Sequence, residues 1–393
     1  MNRETLVASH IAAVPPSGIR KFFDIASDMK NVISLSVGEP DFVTPWNVRE
    51  AAIASIERGY THYTSNHGNP SLRRLITRYL RERYQTEYDW KTQILVTVGA
   101  SEALDLAFRA VIEPGDDILV PAPSYVSYMP GVAFAGGTAV PIETKECDDF
   151  TVTPEALEAA ITSKTKALIL PYPNNPTGAV MTQSQLAAIA PVIEKYDLFV
   201  ISDEIYSELT YGGNHCSIAS FPGMYPRTVV INGFSKAFAM TGFRLGYAAG
   251  PEDVIAAMLK IHQYFMLCAP TASQHAGEEA LRHELDTGFA QVNKMVSDYN
   301  RRRTFVYNSF KKMGLSCFEP RGAFYVFPNI SGMGMTSEEF CYRLIDEKHV
   351  ACVPGTAFGE AGEGFMRCSY ASSMENLKEA LKRIAEFIDE CRK

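Results

Sequence analysis

Five short apolar runs punctuate the first 240 residues: ILVTVG (94–99), DILVPAPSY (117–125), KALILPYPNNPTG (166–178), DLFVISDEIY (197–206) and RTVVINGFSK (227–236). Each is a few aliphatic or β-branched residues bounded by polar or turn residues. A strand buried on both faces reads this way. Helical patterns lie between them, such as SEALDLAFRAVI (101–112) and SQLAAIAPVIEKY (184–196); Pro191 is expected to kink or divide the second. Strand alternating with helix predicts an α/β fold with a mostly parallel sheet flanked by helices.

The texture changes after residue 280. A charged helical stretch (283–314) leads to a strand-like GAFYVFPNI (322–330), a helix TSEEFCYRLIDEK (336–348), a strand GFMRCSYA (364–371) and a closing amphipathic helix (374–393). This pattern predicts a smaller α+β unit. The expected division is a large domain over 49–280 and a small domain built from 281–393 with the N-terminal segment 1–48.

Polar residues gather where the first five runs end: Gly99-Ala100-Ser101, Pro123-Ser124-Tyr125, Asn174-Asn175-Pro176, Asp203-Glu204 and Ser235-Lys236. In open α/β sheets ligands bind outside the carboxyl ends of the strands. Five strands are therefore expected to deliver side chains to one crevice.

Composition narrows the function. The 393 residues are 46% apolar and 21% charged, as in ordinary globular proteins, and a net charge of −8 argues against nucleic-acid binding. The eight cysteines form no CxxC pair, so no metal site is expected and the thiols read as reduced, in a cytoplasmic protein. No signal-peptide pattern or membrane-length apolar run is seen. Neither GxGxxG nor GxxxxGK[ST] occurs, which removes the strongest support for NAD or ATP.

The stretch GFSKAFAMTGFRLGY (233–247) sets Lys236 and Arg244 in apolar sequence. Lys236 is either a surface lysine with its stem on apolar neighbours or a desolvated amine able to form a Schiff base. Asp203 is either a helix cap or a buried carboxylate facing a cationic ring nitrogen. Asn175 sits in the turn-forming PNNPTG, and Gly99-Ala100-Ser101-Glu102 opens a helix whose free N–H groups suit a phosphate. Arg244 and Arg367 are either structural ion-pair partners or holders of a phosphate and a carboxylate.

In sequence order, PNNPTG is followed by Asp203 28 residues after Asn175, Lys236 33 residues after Asp203, Arg244 eight residues later, and a late Arg367. This arrangement resembles the aminotransferase class I/II family, pyridoxal 5'-phosphate enzymes of fold type I. The resemblance runs from GEPDF (38–42) to MRCSY (366–370), and PPSGIRKFFDIA, THYTSNHGNPSLR and NGFSKAFAMTGFRLGY are most similar to its aromatic and broad-specificity branch. It implies a seven-stranded sheet in the large domain. It also implies that Lys236 carries pyridoxal 5'-phosphate as a Schiff base and shuttles the substrate proton. Asp203 would pair with the pyridinium nitrogen, Asn175 and Tyr206 with the phenolic oxygen, and Tyr125 would stack on the ring. The phosphate would fall to Ala100, Ser101, Glu102, Ser235 and Arg244, with Tyr63 reaching it from the other subunit of a homodimer. Arg367, Gly38 and Asn175 would hold the substrate carboxylate. Gly233 and Ala237 depart from relatives that carry phosphate-binding hydroxyls there.

The implied reaction is a ping-pong transfer of an amino group from an L-amino acid, aromatic or broad in range, to a 2-oxo acid such as 2-oxoglutarate. A carbon–sulfur β-lyase would use the same lysine and aspartate. A non-catalytic regulator on this fold would carry a DNA-binding segment, and the first 48 residues show no basic helix-turn-helix pattern. Ile19, Phe22, Phe23 and Tyr63 either line a side-chain pocket or, for the two phenylalanines, pack the N-terminal segment.

Overall fold

The computed structural model describes residues 6–19, 29 and 31–392. Its strands are β1 (Ile33–Ser34), β2 (Ile94–Thr97), β3 (Asp117–Ala122), β4 (Thr138–Glu143), β5 (Thr165–Leu170), β6 (Phe199–Asp203), β7 (Thr228–Gly233), β8 (Gly246–Ala249), β9 (Tyr325–Val326), β10 (Val350–Ala351), β11 (Val353–Pro354) and β12 (Met366–Ser369). Seven of them form one sheet in the order β2-β8-β7-β6-β5-β3-β4. The pairs from β7 across to β4 are parallel, and only β8 runs against its neighbours. All five apolar runs became β2, β3, β5, β6 and β7 of this mostly parallel sheet.

Two of its strands went unanticipated. β4 is a half-exposed edge strand, TAVPIE, with a proline in it. β8 is the fully buried run GYAA, glycine or alanine at all but Tyr247. Its smallness has a use: a Cβ on Gly246 would stand 2.4 Å from the Ala100 nitrogen, and one on Gly233 would stand 3.0 Å from the Gly246 Cα. Glycine at both positions lets β8 lie between β7 and the start of the helix Gly99–Val111.

Two expectations about helices need correction. The helix Gln183–Lys195 runs through Pro191 undivided, because Pro191 and Ala187, whose carbonyl loses its usual partner, both face solvent. The charged stretch 283–314 is not one element. The helices Thr271–Thr287 and Ala290–Lys312 meet at Gly288 and Phe289, both left-handed at φ 69° and 64°.

In the C-terminal part, β9, β12 and β11 form an antiparallel sheet backed by the helices Ser337–Lys348 and Met374–Cys391. The N-terminal segment joins it: β1 pairs in parallel with β10, and Leu35 exchanges backbone hydrogen bonds with Ala351 and Ser369. Leu35 then sits in one apolar core with Phe340, Ile384 and Phe387. Among the described residues no helix is long and apolar enough to cross a membrane, and no cluster of three His, Cys, Asp or Glu is placed to hold a metal ion.

Candidate active site

The carboxyl ends of β2, β3, β5, β6 and β7 open on a cavity of about 710 Å³. Ala100 and Ser101 follow β2, Tyr125 follows β3, Asn175 follows β5, Asp203 and Tyr206 end or follow β6, and Ser235 and Lys236 follow β7. Gly38, Arg244 and Arg367 arrive from elsewhere in the chain. Of the described residues named for cofactor or substrate, only Tyr63 and Glu102 do not line it.

One end of the cavity is built for an anion. The helix Gly99–Val111 begins at Val98, which has no side-chain oxygen to cap it, so its first-turn amides lack a capping acceptor. The Arg244 guanidinium packs so closely on this turn that a Cβ on Gly99 would meet its Nη2 at 2.7 Å. Gly99 also has φ +78°, where a side chain is strained. Ser235 and Thr241 also line the cavity. Gly233 and Ala237 do not line the cavity: Gly233 has no room for a side chain, and Ala237 packs in an apolar cluster.

The middle of the cavity sets a lysine near a carboxylate. Lys236 Nζ donates to the Gly38 carbonyl at 2.5 Å and has no carboxylate partner among the described residues. Burial lowers its pKa to about 8, against the pull of Glu39; Arg367 and Arg244 lower it further, and Asp203 raises it. Asp203 is buried at the end of β6. Its Oδ2 accepts the Tyr128 hydroxyl at 2.8 Å and its Oδ1 the Ile205 amide at 3.1 Å. Burial still pushes its pKa up to about 6. An unscreened carboxylate in such a place favours a cationic neighbour strongly.

At the far end lies Arg367, 2% exposed. It donates to Asn175 Oδ1 at 2.9 Å and to the Ser36 carbonyl at 2.5 Å, and stacks over the Tyr325 ring at 4.4 Å. Its Nε is buried without a partner, and no carboxylate faces it among the described residues. A guanidinium left so is costly unless an anion joins it.

Among the lining residues missed in the sequence are Tyr128, which holds Asp203; Tyr325, whose hydroxyl meets that of Tyr206 at 2.8 Å; Glu39; and Thr241, which donates to Glu39 at 3.1 Å. Tyr128 could have been found by its spacing three after Tyr125, beyond the same strand. Tyr325 lay inside an apolar run and gave no signal. Tyr63 is 81% exposed and does not line this cavity. The Glu102 carboxylate is engaged elsewhere, with the Val98 amide and His262. Ile19 lines the cavity, while Phe22 and Phe23 lie outside the described residues.

A desolvated amine beside a buried carboxylate, with an anion cradle on one side and a bare guanidinium on the other, defines a lysine-dependent enzyme acting on acids through a phosphorylated carbonyl cofactor. A sequence model of the family described as aminotransferase class I and II matches residues 30–384, and the chain belongs to that family. It is a pyridoxal-5'-phosphate-dependent aminotransferase. YugH of Bacillus subtilis, named for aminotransferase activity without a substrate, is 51% identical over 382 residues, 97% of this chain and 98% of that one. An aspartate aminotransferase of Pyrococcus abyssi is 44% identical, covering 98% of each chain. The crystal structure of an aromatic aminotransferase from Pyrococcus horikoshii superimposes with a TM-score of 0.90 at 42% identity, covering 95% of this chain and 99% of that one. Relatives named for an acidic and an aromatic substrate are thus nearly equally similar to this chain.

Proposed function

We propose that this aminotransferase takes the amino group of an aromatic or apolar L-amino acid, within a broad range, and passes it to a 2-oxo acid such as 2-oxoglutarate in a ping-pong cycle. One observation carries the choice of donor. The cations that line the cavity among the described residues are Lys236, Arg244 and Arg367, and each has a task in the common chemistry. Among the described residues no further cation lines the cavity to meet a side-chain carboxylate, and the rest of the wall includes Ile19, Val126 and Tyr325.

When bound, pyridoxal 5'-phosphate supplies an electrophilic carbonyl carbon and an electron-withdrawing ring. In this reading Lys236 holds that carbonyl and, once released, moves the proton at the substrate Cα. Asp203, oriented by Tyr128, keeps the ring nitrogen protonated. Asn175 and Tyr206 donate to the phenolic oxygen, and Tyr125 stacks on the ring. Ala100, Ser101, Ser235 and Arg244 take the phosphate. Arg367, with Gly38 and Asn175, takes the α-carboxylate, which its unpartnered Nε supports.

The proposal includes a homodimer with Tyr63 reaching the partner's phosphate. Tyr63, Tyr264 and Phe265 are 81%, 80% and 68% exposed. Their segments are tied together, Asn66 donating to the Leu267 carbonyl at 2.6 Å and Thr271 to that of His62 at 2.8 Å. Such an aromatic face suits a second copy. It also includes a cytoplasmic location, supported by eight cysteines that remain thiols.

The test is a set of half-reactions. The cofactor-loaded enzyme is mixed with single amino acids, and loss of the bound cofactor's visible absorbance is followed. Phenylalanine, tyrosine or leucine should react faster than aspartate. Preference for aspartate would overturn the donor assignment, and pyruvate released from cystathionine would mark a β-lyase instead.

A further inference from the structure

Glu102 lies one turn into the helix that faces the anion end of the cavity, yet it does not touch that cavity. Its Oε2 folds back to accept the Val98 amide at 2.5 Å. Its Oε1 accepts Nδ1–H of His262 at 2.7 Å. His262 is fully buried on the neighbouring helix Glu252–Phe265, and its Nε2 has no partner. A buried carboxylate and imidazole joined in this way leave little freedom to either.

We propose that Glu102 and His262 are positioning residues for the phosphate-binding turn, acting through the backbone of Val98 to Ser101. The argument rests on the reading that this helix start holds the cofactor's phosphate. Val98 has no oxygen with which to cap the helix, so the turn needs another anchor. It has three. Glu102 holds the Val98 amide, the Thr97 hydroxyl donates to the Gly99 carbonyl at 2.9 Å, and Arg244 bears on Gly99. Claiming the Val98 amide from behind leaves the amides of Ala100 and Ser101 free for a ligand. A carboxylate this near an anion site would oppose the anion by like charge. The donors from Val98 and His262 absorb that charge and turn it from the cavity. Geometry, not direct contact, is therefore how Glu102 serves the cofactor.

The test separates phosphate affinity from general stability by comparing pyridoxal 5'-phosphate with pyridoxal, which lacks the phosphate. Dissociation constants for both are measured on the cofactor-stripped protein by equilibrium dialysis. Glu102→Ala should weaken the phosphorylated ligand about tenfold or more, as loss of a hydrogen bond to a charged group does, and leave pyridoxal within about twofold. Glu102→Gln keeps an acceptor for the Val98 amide and should recover most of the loss. His262→Leu frees the carboxylate and should show the same selective weakening, so it carries the test if Glu102→Ala does not fold. Equal weakening of both ligands, or no change in either, would overturn the proposal. A wild-type protein that binds the two ligands equally would overturn the phosphate site itself.

Discussion

Lys236 should titrate far below an ordinary lysine, and the shift can be measured. Burial sets its pKa at about 8, against about 10.4 for a free side chain. The gap of roughly two and a half units corresponds to about 3 kcal/mol against the charged form. At pH 8 half of the amine is neutral, where an ordinary lysine offers roughly 0.4%, a gain of more than about 100-fold in reactive species. The folded state binds fewer protons than the unfolded one between about pH 8 and about 10.4. The cost is therefore fully present below pH 8 and is relieved as pH rises through that window. The assay exposes cofactor-stripped protein to pyridoxal from about pH 6 to about pH 10. Borohydride traps the adduct, and mass spectrometry counts it at Lys236. Labelling should rise with a midpoint of about 8. Glu39 is the strongest charge acting on Lys236 and raises its pKa. Glu39→Gln should therefore lower the midpoint by about half a unit or more and quicken labelling at pH 7. A wild-type midpoint near 10, or an upward shift in the variant, would refute the reasoning.

Other substitutions divide the site by task. Lys236→Ala should abolish turnover while circular dichroism and elution volume stay unchanged; an active variant would sink the assignment of the amine. Asp203→Asn should still bind cofactor but lose on the order of 10²–10³ in kcat, as removal of a preorganised electrostatic partner does, and an unimpaired rate would exclude that role. Arg367→Met fills the same buried space without the charge and should raise the substrate KM about 10²-fold, judged by steady-state kinetics; an unchanged KM would place the carboxylate elsewhere. Gly99→Ala puts a Cβ 2.7 Å from Arg244 Nη2 at a positive φ, so the variant should lose cofactor on dialysis where the wild type retains it. Full retention would show that this turn is not the cradle.

The legible parts of the site share a cause. Asn175, Asp203 and Lys236 stand at or within a few residues of the ends of apolar strands, so a break in hydrophobicity announces each one. Arg244 and Arg367 stand out as long cations among apolar neighbours. Residues that act through geometry are less visible. Tyr325 is a phenol within GAFYVFPNI, and nothing in that run distinguishes a side chain aimed at Tyr206 from one that only packs. Glu102 was expected at the phosphate because it follows Gly99-Ala100-Ser101. Whether a carboxylate one turn into a helix points to the cavity or back to Val98 depends on His262, 160 residues away. In the fold, β8 escaped notice because three of its four residues are glycine or alanine, Gly246 lying against Ala100, and strand signals reward bulk. The meeting of β1 with β10 was invisible because two-residue strands have no period.

The charges of the cavity explain why so much apolar sequence surrounds them. Lys236, Arg244 and Arg367 line it against the carboxylates Asp203 and Glu39, and none of the three cations is ion-paired among the described residues. Arg244 is exposed and its charge is well solvated, but Lys236 and the buried Arg367 are a standing penalty on the empty protein. A dianionic phosphate and a carboxylate would reverse the imbalance, and the protonated ring nitrogen would answer Asp203, whose own burial already resists ionisation. The cost of holding Lys236, Arg367 and Asp203 dry in the empty state is returned when the ligands enter. Stability of the fold is thereby linked to occupancy of the site. The same desolvation that makes Arg367 a poor structural residue makes it a selective one, since a neutral ligand leaves its Nε unanswered.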